Sequence, residues 1–226
     1  MKKHAIVTDR RRAPEFDPAD DTGPRPLLGA AFEGAAASAV QLPPAEAAEV
    51  AFAGRSNAGK SSALNALARH RGLAFASRTP GRTQQINFFA LRGGARAVDL
   101  PGYGYAAVSK SLKREWQNFL WDYVLTRTTL VGLVLVVDAR HGLKSLDAEL
   151  LGAFGVSARP ILLLATKSDK LGTTERRAAI AALREQVAKL EIGAPVDVVP
   201  FSAVTREGVR EADRVLAQWL PPAAAG

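Results

Sequence analysis

The sequence predicts an α/β domain with a mostly parallel sheet, one antiparallel edge strand, and helices on both faces. Three observations carry this expectation. From residue 49 onward, apolar runs of strand length alternate with segments of helical period. The longest unbroken apolar stretches, 133–137 and 161–165, are too short for a membrane span and suit strands buried on both faces. Gly93-Gly94 separates two further runs and accommodates the positive φ of a hairpin turn. The chain has 226 residues, enough for one full domain with a modest tail but not for two large ones.

The elements follow in order. Residues 1–27 form an Ala-, Pro- and charge-rich head, in which Pro14, Pro18, Pro24 and Pro26 interrupt any helix; disorder is expected there. The domain proper is placed at 28–220 and a flexible tail at 221–226. A short edge segment is expected near 32–42, and the first inner strand at 49–53, ending at Gly54. A helix over 61–69 carries Leu64 and Leu67 at helical spacing. Segments 85–91 and 95–100 flank the glycine pair and form the antiparallel edge. Leu112, Trp116, Phe119, Leu120, Tyr123 and Val124 recur every three or four residues, so this helix lays an apolar face on the sheet and Trp116 is read as core. Strands at 131–138, 160–166 and 196–201 then alternate with helices near 146–154, 174–190 and 206–220. Ligands of such folds bind beyond the carboxyl ends of the strands, where the motifs below fall.

Composition narrows the function. There are no cysteines, which excludes disulfides and thiolate metal sites, and the N-terminus lacks the apolar core of a secretory signal, so a cytoplasmic protein is expected. A formal net charge of +8 favours an anionic partner, and RNA is preferred to a membrane because no amphipathic anchor is visible.

Gly54-Arg55-Ser56-Asn57-Ala58-Gly59-Lys60-Ser61 fits the pattern G-x-x-x-x-G-K-[ST], here between a predicted strand and a predicted helix. Glycines let backbone N–H groups turn toward phosphate, a lysine reaches the β and γ groups, and the hydroxyl of Ser61 offers an oxygen to Mg²⁺. Ser62 follows in the same turn. An ordinary glycine turn would not need that flanking context. Asp99-Leu100-Pro101-Gly102 ends the next inner strand, where a carboxylate can hold the surroundings of the metal and the Gly102 amide can meet the γ-phosphate. Between them lies Thr79-Pro80-Gly81-Arg82-Thr83; Thr83, nearer the following strand, is preferred to Thr79 as a second metal ligand. Lys60, Thr83 and Gly102 are the candidate catalytic groups.

Thr166-Lys167-Ser168-Asp169 follows a buried strand and is similar to the guanine-reading pattern [NT]-K-x-D. A carboxylate at Asp169 can accept from guanine N1–H and N2, whereas adenine offers neither donor, and an unpaired carboxylate against adenine is costly. The stem of Lys167 can lie along base and ribose. Phe201-Ser202-Ala203 ends the last strand, placing an Ala203 amide where guanine O6 can accept it.

Together these strings, with the extensions Thr83-Gln84, Gly102-Tyr103-Gly104-Tyr105-Ala106 and Asp169-Lys170, resemble the EngB (YihA or YsxC type) family of bacterial ribosome-assembly GTPases over about residues 49–220. The resemblance implies a Ras-like fold, GTP or GDP with Mg²⁺ as ligands, and a role in maturing the large ribosomal subunit; a monomer is expected separately. Many GTPases place a water-orienting glutamine directly after the D-x-x-G motif; here Tyr103 stands there, which predicts slow intrinsic hydrolysis, and its side chain is read as packing in the switch. Asn57 occupies the position that holds K⁺ beside the phosphates in potassium-stimulated relatives, and a loop-stabilising role is the alternative. A P-loop kinase or ATPase would account for residues 54–61 but leave Asp169 unexplained. A nucleotide-gated binding module, with turnover as its timer, is compatible with the GTPase reading. Lys110, Lys113 and Arg114 are candidate RNA contacts or a solvated helix face.

Overall fold

The computed structural model describes residues 23–74, 85–104 and 110–222, and for residues 110–117 the backbone only. Residues 1–22 of the head expected at 1–27, the loop bearing Gly81, Arg82 and Thr83, and the end of the tail lie outside the described residues, as do the side chains of Lys110, Lys113, Arg114 and Trp116. Leu27, by contrast, at the end of that expected head, is fully buried in the core and belongs to the domain.

The chain folds as β1 (Ala31–Ala36), β2 (Glu49–Gly54), α1 (Lys60–Ala68), β3 (Ile86–Ala90), β4 (Arg96–Asp99), α2 (Lys110–Thr126), β5 (Leu130–Asp138), α3 (Ser145–Gly155), β6 (Ile161–Thr166), α4 (Thr173–Ala188), β7 (Val196–Pro200) and α5 (Val209–Trp219). The seven strands stand in the order β1-β3-β4-β2-β5-β6-β7. Four pairings are parallel, and β3 runs antiparallel to both β1 and β4, so the expected antiparallel edge is present. The strand that opposes the others is β3, one place in from the rim, because β1 adds outside it. A register shift between Phe32 and Gly34 marks a bulge in β1, and Glu33 within it makes a bidentate ion pair with Arg96 on β4, with contacts of 2.8 and 2.9 Å.

Strands β2 and β6 are buried along their whole length and β5 along nearly all of it, which is why they read as unbroken apolar runs. Alternation splits their side chains between two cores. Val50, Phe52, Val134, Val136, Leu162 and Leu164 pack under α1 and α5, whereas Ala51, Ala53, Leu133, Leu135, Leu163 and Ala165 pack under α2, α3 and α4.

Opposite the strand ends that carry the motifs, Glu49 begins β2 as a fully buried charge. Its carboxylate accepts the Tyr123 hydroxyl at 2.7 Å and the Arg127 guanidinium at 2.6 and 2.9 Å, with Arg96 at 3.8 Å. Arg159 closes the same end by donating to the carbonyls of Val124, Arg127 and Leu130 while lying over the Phe154 ring at 4.8 Å. Among the described residues no helix is long and apolar enough to cross a membrane.

Candidate functional site

The turn from β2 into α1 places the phosphate-loop pattern at the carboxyl ends of the central strands. Gly54 can have no side chain, since a Cβ there would lie 2.6 Å from the Val136 carbonyl oxygen on β5. Gly59, at φ +101°, brings the chain into α1 through a left-handed conformation that favours glycine. Asn57 also lies in that region, at φ +66°, which asparagine tolerates better than most residues. Lys60 opens α1 as a buried ammonium, paired with the Asp99 carboxylate at the end of β4. Ser61 and Ser62 follow in the first turn.

The segment after Asp99 lies directly on this loop. The Ser56 N–H donates to the Tyr103 carbonyl at 3.0 Å, and the Ser56 hydroxyl reaches the Gly102 carbonyl at 3.3 Å. A Cβ on Gly102 would meet Ser56 atoms at 3.0 to 3.1 Å, so the approach depends on glycine. Leu100 is anchored back to β2 through its N–H and the Phe52 carbonyl, and Pro101 follows, partly exposed. The Tyr103 hydroxyl donates to Asp147 Oδ1 on α3 at 2.7 Å. Burial, then the Asp147 charge and this hydrogen bond, push the phenol well above its usual range. Tyr103 is thus a neutral, packed side chain, in line with the expectation that it packs in the switch.

The base motif meets the phosphate loop from the other side. Thr166 Oγ1 lies within hydrogen-bonding distance of both the Ala58 and Val137 carbonyls, and Lys167 Nζ donates to the Asn57 carbonyl at 2.7 Å. Two consecutive residues at the end of β6 therefore hold two consecutive carbonyls of the phosphate loop. Lys167 sits at φ +59° and turns the chain into a short 3-10 turn, Ser168–Lys170. Ser168 is buried and donates to Glu207, which also pairs with Arg176. Asp169 accepts the Ser202 hydroxyl at 2.7 Å, so the motif after β6 and the Phe201-Ser202-Ala203 turn after β7 are joined side chain to side chain. Phe201 is buried, and its N–H and carbonyl bond Ala165 and Ser168, leaving Ala203 partly exposed beside them.

Sequence reasoning missed Asp138, the last residue of β5. Its Oδ1 accepts the Arg140 N–H and Nε at 3.1 and 2.9 Å, and its Oδ2 accepts Arg140 Nη2 at 2.7 Å and Lys167 Nζ at 2.9 Å. Burial opposes its charge, yet the hydrogen bonds from Arg140 and Lys167 outweigh that and hold the carboxyl well below the ordinary range. Asp147 and Glu207 were missed as well, and a strand-terminal or helix-initial acid is too common a feature to have marked them. Thr83 and the rest of its loop lie outside the described residues. The remaining motif residues converge on one end of the sheet.

The comparisons agree with this geometry. Residues 49–167 match the model of a family described as 50S ribosome-binding GTPase. A protein of Azoarcus sp. strain BH72, named "Probable GTP-binding protein EngB", is 50% identical over 196 residues, 87% of this chain and 93% of its own. One of the same name from Neisseria meningitidis serogroup B strain MC58 is 46% identical over 175 residues, 77% of this chain and 84% of its own. Among solved structures, that of "a probable GTP-binding protein engB" aligns with a TM-score of 0.60 at 21% identity, over 76% of this chain and 97% of that one, and supports the fold.

Proposed function

The chain belongs to the EngB family of GTP-binding proteins, and we propose that it hydrolyses GTP to GDP and phosphate as a nucleotide-gated switch on the large ribosomal subunit or its precursor. One observation carries the nucleotide reading. Thr166 and Lys167 hold the carbonyls of Ala58 and Asn57, which joins the segment bearing Asp169 to the 54–61 loop and supports a site in which one reads guanine and the other takes the phosphates. A P-loop kinase or ATPase would have no use for Asp169 held in register by Ser202.

In this reading Asp169 accepts from guanine, the Ala203 amide addresses O6, and the stem of Lys167 lies along the base and ribose. Gly54 to Ser62 surround the phosphates, with Lys60 supplying positive charge where negative charge shifts during phosphoryl transfer. Mg²⁺ fits the donors present. Ser61, next to Lys60 in the chain, and Asp99, paired with it, offer hard oxygens, which suit an ion held by one or two protein oxygens with phosphate and water. When bound, the metal supplies charge opposite the β and γ phosphates. Gly102 rests against Ser56, so a γ-phosphate arriving there alters a contact already made and gives triphosphate and diphosphate different partners. Gly81, Arg82 and Thr83 belong to the first switch loop in this proposal, Thr83 as the other metal ligand.

The ribosomal partner is supported by the description of the matching family and by the formal net charge of +8. The test is sedimentation with native ribosomal subunits. Tighter pelleting with large subunits in a non-hydrolysable GTP analogue than in GDP is expected, and equal pelleting in both would refute the gating. Hydrolysis is tested separately: GTP turnover that ATP does not compete for, lost in Lys60→Ala, is expected. Rates compared in K⁺ and Na⁺ at constant ionic strength decide between the two roles of Asn57, since a gain in K⁺ that Asn57→Ala abolishes marks a cation ligand and equal rates mark a loop residue.

A further inference from the structure

We infer that Asp138 is a positioning residue for the nucleotide, holding Lys167 against the phosphate loop and so coupling recognition of the base to the shape of the loop that takes the phosphates. The inference rests on the guanine-nucleotide reading above and extends it to a residue outside all five motifs.

The geometry is a three-part chain. Asp138 Oδ2 accepts from Lys167 Nζ at 2.9 Å, and the same ammonium donates to the Asn57 carbonyl at 2.7 Å. Asp138 is itself fixed by the β5–β6 pairing, in which it stands opposite Thr166, and by the Ala139 N–H bonded to the Thr166 carbonyl at 2.9 Å. The anchor is therefore set by the sheet and not by the loop.

Two costs explain why Lys167 needs an anchor. Its backbone occupies a left-handed conformation, φ +59°, which side chains with a Cβ adopt reluctantly. A lysine also carries large rotamer entropy, which a nucleotide would have to remove on binding if the protein had not removed it beforehand. Two fixed acceptors for one ammonium restrict the side chain before the ligand arrives. A carboxylate suits the task better than an amide because Arg140 lies on the same group, at 2.7 and 2.9 Å. Without a negative charge between them, the guanidinium and the ammonium would repel, and Lys167 is the partner with a second acceptor to lose.

A double-mutant cycle on the full chain tests this. Equilibrium affinities for GDP and for ADP are measured by titration calorimetry in wild type, Asp138→Asn, Lys167→Met and the double variant, with the melting midpoint of each recorded without nucleotide. Loss of a charge-assisted hydrogen bond predicts that Asp138→Asn weakens GDP about ten-fold. In the Lys167→Met background the same change is expected to alter GDP affinity less than about two-fold, since the link is already gone. An equal loss in both backgrounds would mean that Asp138 only buttresses the strand end through Arg140, and no loss in the single variant would equally overturn the inference. Should Asp138→Asn not fold, Asp138→Glu takes its place in the cycle with the same criterion. Equal affinity of the wild type for GDP and ADP would instead refute guanine reading, while the cycle, run on either nucleotide, would still score the link between Asp138 and Lys167.

Discussion

Replacing Ser202 by alanine removes a single hydroxyl whose proton has only one destination. Ser202 Oγ lies 3.2 Å from the Val204 N–H and 3.1 Å from the Thr205 N–H, and since both of these are donors, the hydroxyl accepts from them. Its own proton is thereby committed to Asp169 Oδ1, 2.7 Å away. The residue is fully buried, so water does not easily replace the lost group. Hydrogen bonds to charged groups contribute about 1.5–3 kcal/mol. The lower end applies here, because the Asp169 side chain keeps 12% exposure and an ion pair to Lys170 at 3.4 Å. About 1.4 kcal/mol corresponds to ten-fold in affinity. Ser202→Ala is therefore expected to weaken GDP about ten-fold while leaving ADP, which does not use that carboxylate, nearly as weak as before. Titration calorimetry of both nucleotides measures the ratio directly, with circular dichroism to verify the fold. A GDP affinity within two-fold of wild type would show that Asp169 is oriented by something other than Ser202.

Three further outcomes follow from the fold. Glu49→Gln leaves the guanidinium of Arg127 and the nearby Arg96 without their buried counter-charge; retaining some hydrogen bonds, the variant should lose about 2–3 kcal/mol in urea unfolding yet bind GDP normally, and a loss under about 0.5 kcal/mol would contradict the role given to this network. Gly132→Ala would put a Cβ 2.4 Å from Trp219 Cε3, and displacing that ring should lower stability by about 1–3 kcal/mol, whereas an unchanged melting midpoint would mean that α5 shifts freely. For Asp138 the folded-state pKa lies below the unfolded value of about 3.9, so its stabilisation is complete above that pH and is lost as pH falls through the folded value. Asp138→Asn should accordingly flatten the acid limb of the stability curve below about pH 4 and lower stability at neutral pH, and identical acid limbs in wild type and variant would refute the assignment.

Much of this was legible because the signals were periodic or local. The central strands announced themselves as apolar runs since both faces of the sheet are covered, and the phosphate and base motifs carry their chemistry in contiguous residues. Strand β1 was foreseen only as an edge segment near 32–42, because Ala31-Phe32-Glu33-Gly34-Ala35-Ala36 has little intrinsic strand preference and takes its conformation from pairing with β3. Asp138, Asp147 and Glu207 were invisible for a different reason. Each acts on a residue far away in sequence, Asp138 on Lys167, Asp147 on Tyr103 and Glu207 on Ser168, and such pairings have no period to read.

The bulge in β1 bears on how copies of this protein behave toward one another at high concentration. A rim strand displays unpaired N–H and C=O groups that a second molecule could adopt as a template, extending the sheet from copy to copy. Here the regular register breaks between Phe32 and Gly34, and the intervening Glu33 is tethered by Arg96 from two strands away, so a straight incoming strand would lose its match within a few residues. The exposed Phe32 ring stands beside that irregularity, next to Phe89. A misfit of one residue at the rim thus acts against runaway polymerisation and costs the domain one disrupted step of an outermost ladder.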